Sequence, residues 1–447
     1  MNMNTKATLQ TRRKFLRTSM LGAAATWTLP VFLEKTFFAL DALAADAATQ
    51  IVTGKDGTIL VVLQMAGGND GLNTVIPYAD DAYHVARPRL RLAADQVLKI
   101  DNHIGLNPKL SGLKSFYDEG HLAIVQGVGY PNPNRSHFRS TEIWQTASDA
   151  DHTSNDGWLG RYFDNCCSGA DPTVGVAIGG ETPQAFAAKN PTGVTFSRPE
   201  QFRFQPSARG NGQMSAEEMF FRELNEGAAG DESGTAVSNA GGSIGAIPGK
   251  TKNDLSTLDF LQRTALDAQL SSDKILAIAR KYKSTVPYPQ GQLAASLNII
   301  ARMIAGGLAT RVYYASQGGF DTHAGQINTH ERLIGEFNEA ASAFVADLKQ
   351  QGNFDRVLLM TFSEFGRRVQ ENANGGTDHG AAAPMFVLGG AVKAGLFGKH
   401  PSLTDLDRGD LKFNTDFRSV YGTVLDRWLK APSQIVLGRK FAGLAIV

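Results

Sequence analysis

Residues 311–323, RVYYASQGGFDTH, run an apolar stretch into two glycines and then set a carboxylate and an imidazole two positions apart. The apolar part, 311–316, has the length and the aromatic content of a buried strand. Gly318 and Gly319 let a backbone turn sharply and approach a ligand closely. Asp321 and His323, two apart in extended chain, point to the same side. Taken alone, the same residues suit a turn with a capping aspartate and a surface histidine. Recurrence decides between the two.

The pattern recurs. Apolar runs at 58–65, 121–129, 356–362 and 384–390 read as further buried strands, and amphipathic stretches at 292–308, 330–350 and 415–430 read as helices. Strands alternating with helices of this length predict an α/β fold, a doubly wound, mostly parallel sheet with helices on both faces. The first strand is followed by AGGNDGLN with Asn69 and Asp70, and the run at 356–362 by SEFGRR with Glu364 and Arg367. GGTDHG, with Asp378 and His379, precedes the run at 384–390. Ligands of open α/β sheets bind outside the carboxyl ends of the strands. Carboxylates and imidazoles there, with no ligating cysteine among them, suit a divalent cation such as zinc, manganese or magnesium. Each loop also has a plain structural reading, as a tight turn, a hairpin or a helix cap.

The amino terminus reads as an address. TRRKFLR at 11–17 sets paired arginines ahead of an apolar run at 21–33, which is 13 residues long against roughly 20 for a membrane-spanning helix. With the small residues around ALAADA, this predicts a twin-arginine signal over residues 1–44 and export by the twin-arginine translocation machinery to the periplasm or beyond. A membrane anchor or a basic tail is the competing reading. Cleavage would remove six of the 44 basic and two of the 43 acidic side chains, leaving a net charge of −3 on residues 45–447. That balance gives no nucleic-acid footprint and no polybasic membrane patch. Cys166 and Cys167 are adjacent and cannot staple distant parts of the fold; they read as two buried thiols or a strained vicinal disulfide. Residues 200–253 are rich in Gly, Ser and Ala and predict a mobile surface insertion.

Taken in order, RRKFL, LVVLQMAGGNDGLNTVIPY, YPNPNRSHFRSTEIWQTA, GGFDTHAGQ, FSEFGRRVQENANGGTDHG and TDFRSVYGTVLDRWL resemble the exported bacterial family called domain of unknown function 1501. That family looks like a branch of the alkaline phosphatase and sulfatase superfamily. The resemblance implies a metal-dependent hydrolase of phosphate or sulfate esters, acting on a small-molecule or polymer substrate. It implies metal roles for Asp70, Asp378 and His379, and for the pair Asp321 and His323, with His330 as a stand-in. Ser136, at the start of a helical segment, is the implied nucleophile, with a helix N-cap as its structural alternative. His137 is the implied ligand or acid–base group, and Arg135, Arg139 and Arg367 would brace the anion. Two departures stand out. The formylglycine pattern would place Pro131 at the nucleophile, which speaks against that sulfatase route. The segment AAAPMF after TDHG has no histidine, leaving His400 or His152 to complete a metal position. The competing function is a non-catalytic envelope protein of the same fold that binds a ligand or partner.

Overall fold

The computed structural model describes residues 57–167, 172–188, 193–201 and 271–447. The export signal expected at 1–44 and nearly all of the insertion expected at 200–253 lie outside the described residues.

The main strands are β1 (Ile59–Met65), β2 (Leu122–Gly129), β3 (Gly175–Ile178), β4 (Val194–Phe196), β5 (Val312–Gln317), β6 (Val357–Phe362), β7 (Arg367–Glu371), β8 (Thr377–His379), β9 (Ala383–Gly389), β10 (Gly395–Phe397) and β11 (Thr415–Asp416). Nine of them form one sheet in the order β10–β2–β9–β6–β1–β5–β3–β4, with β11 also against β2. β7 and β8 form a separate antiparallel hairpin. β6, β1, β5, β3 and β4 run parallel. β9 is antiparallel to both of its neighbours, β6 and β2.

β9 is the run expected at 384–390, and its direction has a physical cause. A parallel neighbour to β6 would need a long crossover. The chain instead leaves β6, folds the β7–β8 hairpin, and re-enters the sheet with a short connection. The carboxyl ends of β1, β5 and β6 and the amino end of β9 therefore share one edge.

Both faces are covered, which is why the strands read as unbroken apolar runs. Alternate side chains of β1 serve opposite layers: Ile59, Val61, Leu63 and Met65 enter one core, Leu60 and Val62 the other. The first core is closed by α1 (Ser111–Asp118), α4 (Gln292–Ala305) and α5 (Gln326–Gln351). The second is closed by α2 (His137–Thr146), α3 (Trp158–Cys166) and α6 (Phe417–Thr423). In the second, Trp144 stacks on Phe417 at 4.3 Å and Trp158 on Tyr421 at 4.3 Å between ring centres. Each buried Leu or Phe contributes roughly 1.5–3 kcal/mol. These two layers hold the sheet and leave its polar edge free for other work.

α5 begins four residues before the expected helix and stops at Gly352, whose φ of 69° suits a residue without Cβ. The helix expected over 415–430 is α6 followed by a π-helical turn at Val424–Trp428. Cys166 and Cys167 are free thiols, and burial pushes the Cys167 thiol up to about 11. No helix among the described residues is long and apolar enough to cross a membrane.

Candidate functional site

Glycines bring the edge loops into contact. Gly67, after β1, has a φ of 117°, and a Cβ there would lie 2.5 Å from the Asp321 amide nitrogen. A Cβ on Gly376 would lie 2.4 Å from the His323 carbonyl carbon. The loops after β1 and β5 and the β7–β8 hairpin thus pack backbone to backbone, which no other residue would permit without displacement. Asp321, His323, Asp378 and His379 are drawn together as a result.

His137, the first residue of α2, joins them. Among the described residues, His137, Asp321 and His379 form the one group of potential metal-ligating side chains with all ligand atoms within 4.8 Å of one another. Each imidazole is oriented by a partner behind it. His137 Nδ1 lies 2.9 Å from Glu364 Oε1, His379 Nδ1 2.8 Å from the Arg135 carbonyl, and His323 Nδ1 3.3 Å from Asp378 Oδ1. These partners accept hydrogen bonds, so a neutral ring in each case carries its proton on Nδ1 and bares Nε2.

All three Nε2 atoms face Asp321. His379 Nε2 is 3.0 Å and His323 Nε2 3.1 Å from Oδ1, and His137 Nε2 is 3.4 Å from Oδ2. The Nε2 atoms of His323 and His379 are 2.9 Å apart. His137 Nε2 is buried without a hydrogen-bond partner. Lone pairs converging in this way repel unless positive charge sits among them, either protons on the rings or a bound cation. Phe365 packs beside His137 and His379 at ring-centre distances of 4.9 and 4.5 Å and shields one side.

Burial works to raise the Asp321 pKa, yet the Arg367 hydrogen bond, the close contact with His379 and the Arg367 charge hold it well below the usual carboxylate range. The Asn372 hydrogen bond, followed by that from His323, lowers Asp378, which is more than half exposed.

The three arginines are all engaged internally. Arg135 pairs with Asp410 through Nε at 2.8 Å and through Nη2. Arg139 pairs with Glu142 at 2.8 Å and donates to the carbonyls of Asp149, Ala150 and His152. Arg367 is 1% exposed and donates to the carbonyls of Gly67, Gly68, Phe320 and Thr377 as well as to Asp321. It therefore clamps the three loops from within.

Asp70 lies elsewhere. Fully buried, it pairs with Arg87 at 2.6 Å and accepts from Gln326, and the Arg87 charge keeps its pKa low against the cost of burial. His330 sits in the same network, 3.0 Å from Asn69 Oδ1, and burial pushes it down to about 4. His400 is 2.9 Å from the Pro401 carbonyl, and His152 is exposed; neither belongs to the group around Asp321. Ser136 is exposed beside His137, and its side chain does not cap α2.

Glu364 had no role assigned from sequence. It is 2% exposed, and Oε1 accepts from both His137 and the Gly67 amide at 2.8 Å. Its only sequence signal was its place on a loop directly after a strand, shared with the other edge residues.

A family model described as "Protein of unknown function (DUF1501)" matches residues 123–417. The chain belongs to the DUF1501 family. The matched span of this DUF1501 chain holds His137, Asp321, His323, Glu364 and His379. No curated protein matches it. Among solved structures it is similar to the PsFucS1 sulfatase from Pseudoalteromonas sp., at 11% identity and a TM-score of 0.36 over 87% of this chain and 70% of that one. It is similar to a protein in the alkaline phosphatase superfamily from Vibrio parahaemolyticus, at 9% identity and a TM-score of 0.30 over 82% and 70% of the two chains. An alkaline phosphatase from the Antarctic bacterium TAB5 matches at 13% identity and a TM-score of 0.32, over 76% of this chain and 95% of that one. These scores are low, and the α/β assignment rests on the sheet topology itself.

Proposed function

We propose that this DUF1501 chain is an exported hydrolase of phosphate or sulfate esters that works with a divalent cation at the sheet edge. The observation that carries the reading is the convergence of three imidazole Nε2 atoms, each oriented through Nδ1, on the Asp321 carboxylate. Such a donor set fits a divalent transition metal: His137, His379 and Asp321 would hold it, with His323 beside them. Nitrogen-rich ligation favours zinc over manganese or magnesium. A cation bound there supplies Lewis acidity and charge for an ester oxygen.

The remaining roles fall to the chain itself. Glu364, the Arg135 carbonyl and Asp378 hold the ring protons away from the centre. Arg367 keeps the Asp321 carboxylate in place. Ser136 presents its hydroxyl at the start of α2, where the first N–H groups of a helix can hold developing negative charge. Ser136 is the proposed nucleophile and His137 a ligand. Residues 1–44 are proposed as the twin-arginine signal that takes the folded chain across the membrane.

The test is turnover by the purified chain, with verified cation content, on panels of phosphate monoesters, phosphate diesters and sulfate esters. Turnover should vanish with a chelator and in Ser136→Ala. A cation-loaded wild type that is inactive on every panel overturns the hydrolase reading. A second reading, a non-catalytic envelope protein that binds a ligand or partner, is favoured by the internal engagement of Arg135, Arg139 and Arg367. Under that reading, Ser136→Ala leaves the cellular role of the protein intact.

A further inference from the structure

We propose that Glu364 is a positioning residue that sets His137 for cation binding, an inference that rests on the cation-site reading above. Three observations converge on it. First, Glu364 Oε1 accepts the Gly67 amide at 2.8 Å, so the atom facing His137 is already committed as an acceptor. His137 Nδ1, 2.9 Å from the same oxygen, must therefore supply the proton, which turns the Nε2 lone pair toward Asp321. Secondly, residue 364 holds α2 at two points. Its carboxylate takes His137, and its backbone carbonyl takes the hydroxyl of Ser140, three residues further along the helix. The ring is thus fixed in proton placement by the side chain and in position by the helix grip. Thirdly, Glu364 Oε2 is buried with no hydrogen-bond partner. A buried oxygen that no protein group pairs is costly to keep. A hydrophobic residue would serve packing better if packing were its task.

The arrangement has a general logic. An imidazole that donates its far N–H to a carboxylate is a more basic and better-oriented ligand, and losing such a partner typically weakens metal binding about 10- to 100-fold. Here the carboxylate also ties the loop after β1 to that after β6. One residue thereby aligns α2 with the edge that carries Asp321.

The experiment is zinc titration of the purified mature chain against a chromogenic chelator, in wild type, Glu364→Gln, His137→Ala and the double variant. Glu364→Gln keeps the size of the side chain and an oxygen acceptor, and circular dichroism with a thermal melt of the zinc-free protein checks that each variant folds. We expect Glu364→Gln to weaken zinc about 10- to 100-fold and to have little further effect once His137 is alanine. A residue that merely supported the fold would weaken zinc equally in both backgrounds, and that result overturns the inference. Equal affinity in wild type and Glu364→Gln overturns it as well, while leaving the cation site standing. A wild type that does not bind zinc removes both. Should Glu364→Gln fail to fold, Glu364→Asp takes its place in the cycle, with the same outcomes expected.

Discussion

Two polar clusters lie behind the same sheet edge, and they are built on opposite principles. In the inner one, the charge on Asp70 is met by the Arg87 guanidinium at 2.6 Å and by the Gln326 amide, all of it buried. Both of those donors take Oδ2, while Oδ1 is buried without a hydrogen-bond partner. In the outer one, three imidazoles spend their Nδ1 positions on acceptors and turn three Nε2 atoms onto one carboxylate, with Arg367 the only lysine or arginine among the described residues that pairs with Asp321. The difference teaches that a carboxylate at a strand end is not a ligand by position alone. What already neutralises it decides.

The sharpest way to break this contrast is Asp70→Ala. It strands Arg87 in the interior, and breaking a buried pair in this way costs about 3–5 kcal/mol. Denaturant unfolding should record that loss, while the cation content of the folded variant stays at the wild-type level. Retained stability with a lost cation would put Asp70 with the outer cluster instead.

Arg367→Leu probes the seam between the two. It takes the Arg367 donor from the carbonyls of Gly67, Gly68 and Thr377, while Thr322 still donates to the Phe320 carbonyl at 2.9 Å, and stranded acceptors of this kind cost in sum about 3 kcal/mol or more. The same unfolding series, repeated with zinc present, should show that added cation restores only part of the loss.

A pH series separates the clusters further. His330 is buried, and its folded pKa of about 4 lies below the ordinary histidine value of 6.5. Between these values the unfolded chain binds the extra proton, so the contribution of His330 is complete above 6.5 and is lost as pH falls toward 4. The linkage amounts to about 3 kcal/mol across that window. His330→Gln should flatten the stability profile between pH 6.5 and 4; an unchanged slope assigns it to other groups. Asp378→Asn is the mildest change. Asp378 is more than half exposed and the amide oxygen can still accept from His323, so unfolding should shift by less than about 1 kcal/mol.

The α/β class was legible because strands buried on both faces must be apolar at every position, as in β1 and β6. The direction of β9 was not, since it depends on the β7–β8 hairpin and not on the composition of the strand. The loops holding Asp321, His323 and His379 were legible from their glycines, whose close packing the structure makes concrete. Partner choice was not. Arg135 reads as a free anion binder until the fold sets Asp410 against it, 275 residues away. Asp70 reads like Asp321 until Arg87 closes on it. Glu364 carried a signal no stronger than its neighbours', because a residue that acts through another leaves no motif of its own.

The most direct test of the account is elemental analysis of the purified, folded chain after reloading and dialysis, with Asp321→Ala and Asp70→Asn beside the wild type. The account predicts near-stoichiometric zinc or manganese in the wild type and in Asp70→Asn, and none in Asp321→Ala. A wild type that stays metal-free after reloading, or one whose cation is lost with Asp70 and kept without Asp321, would contradict it.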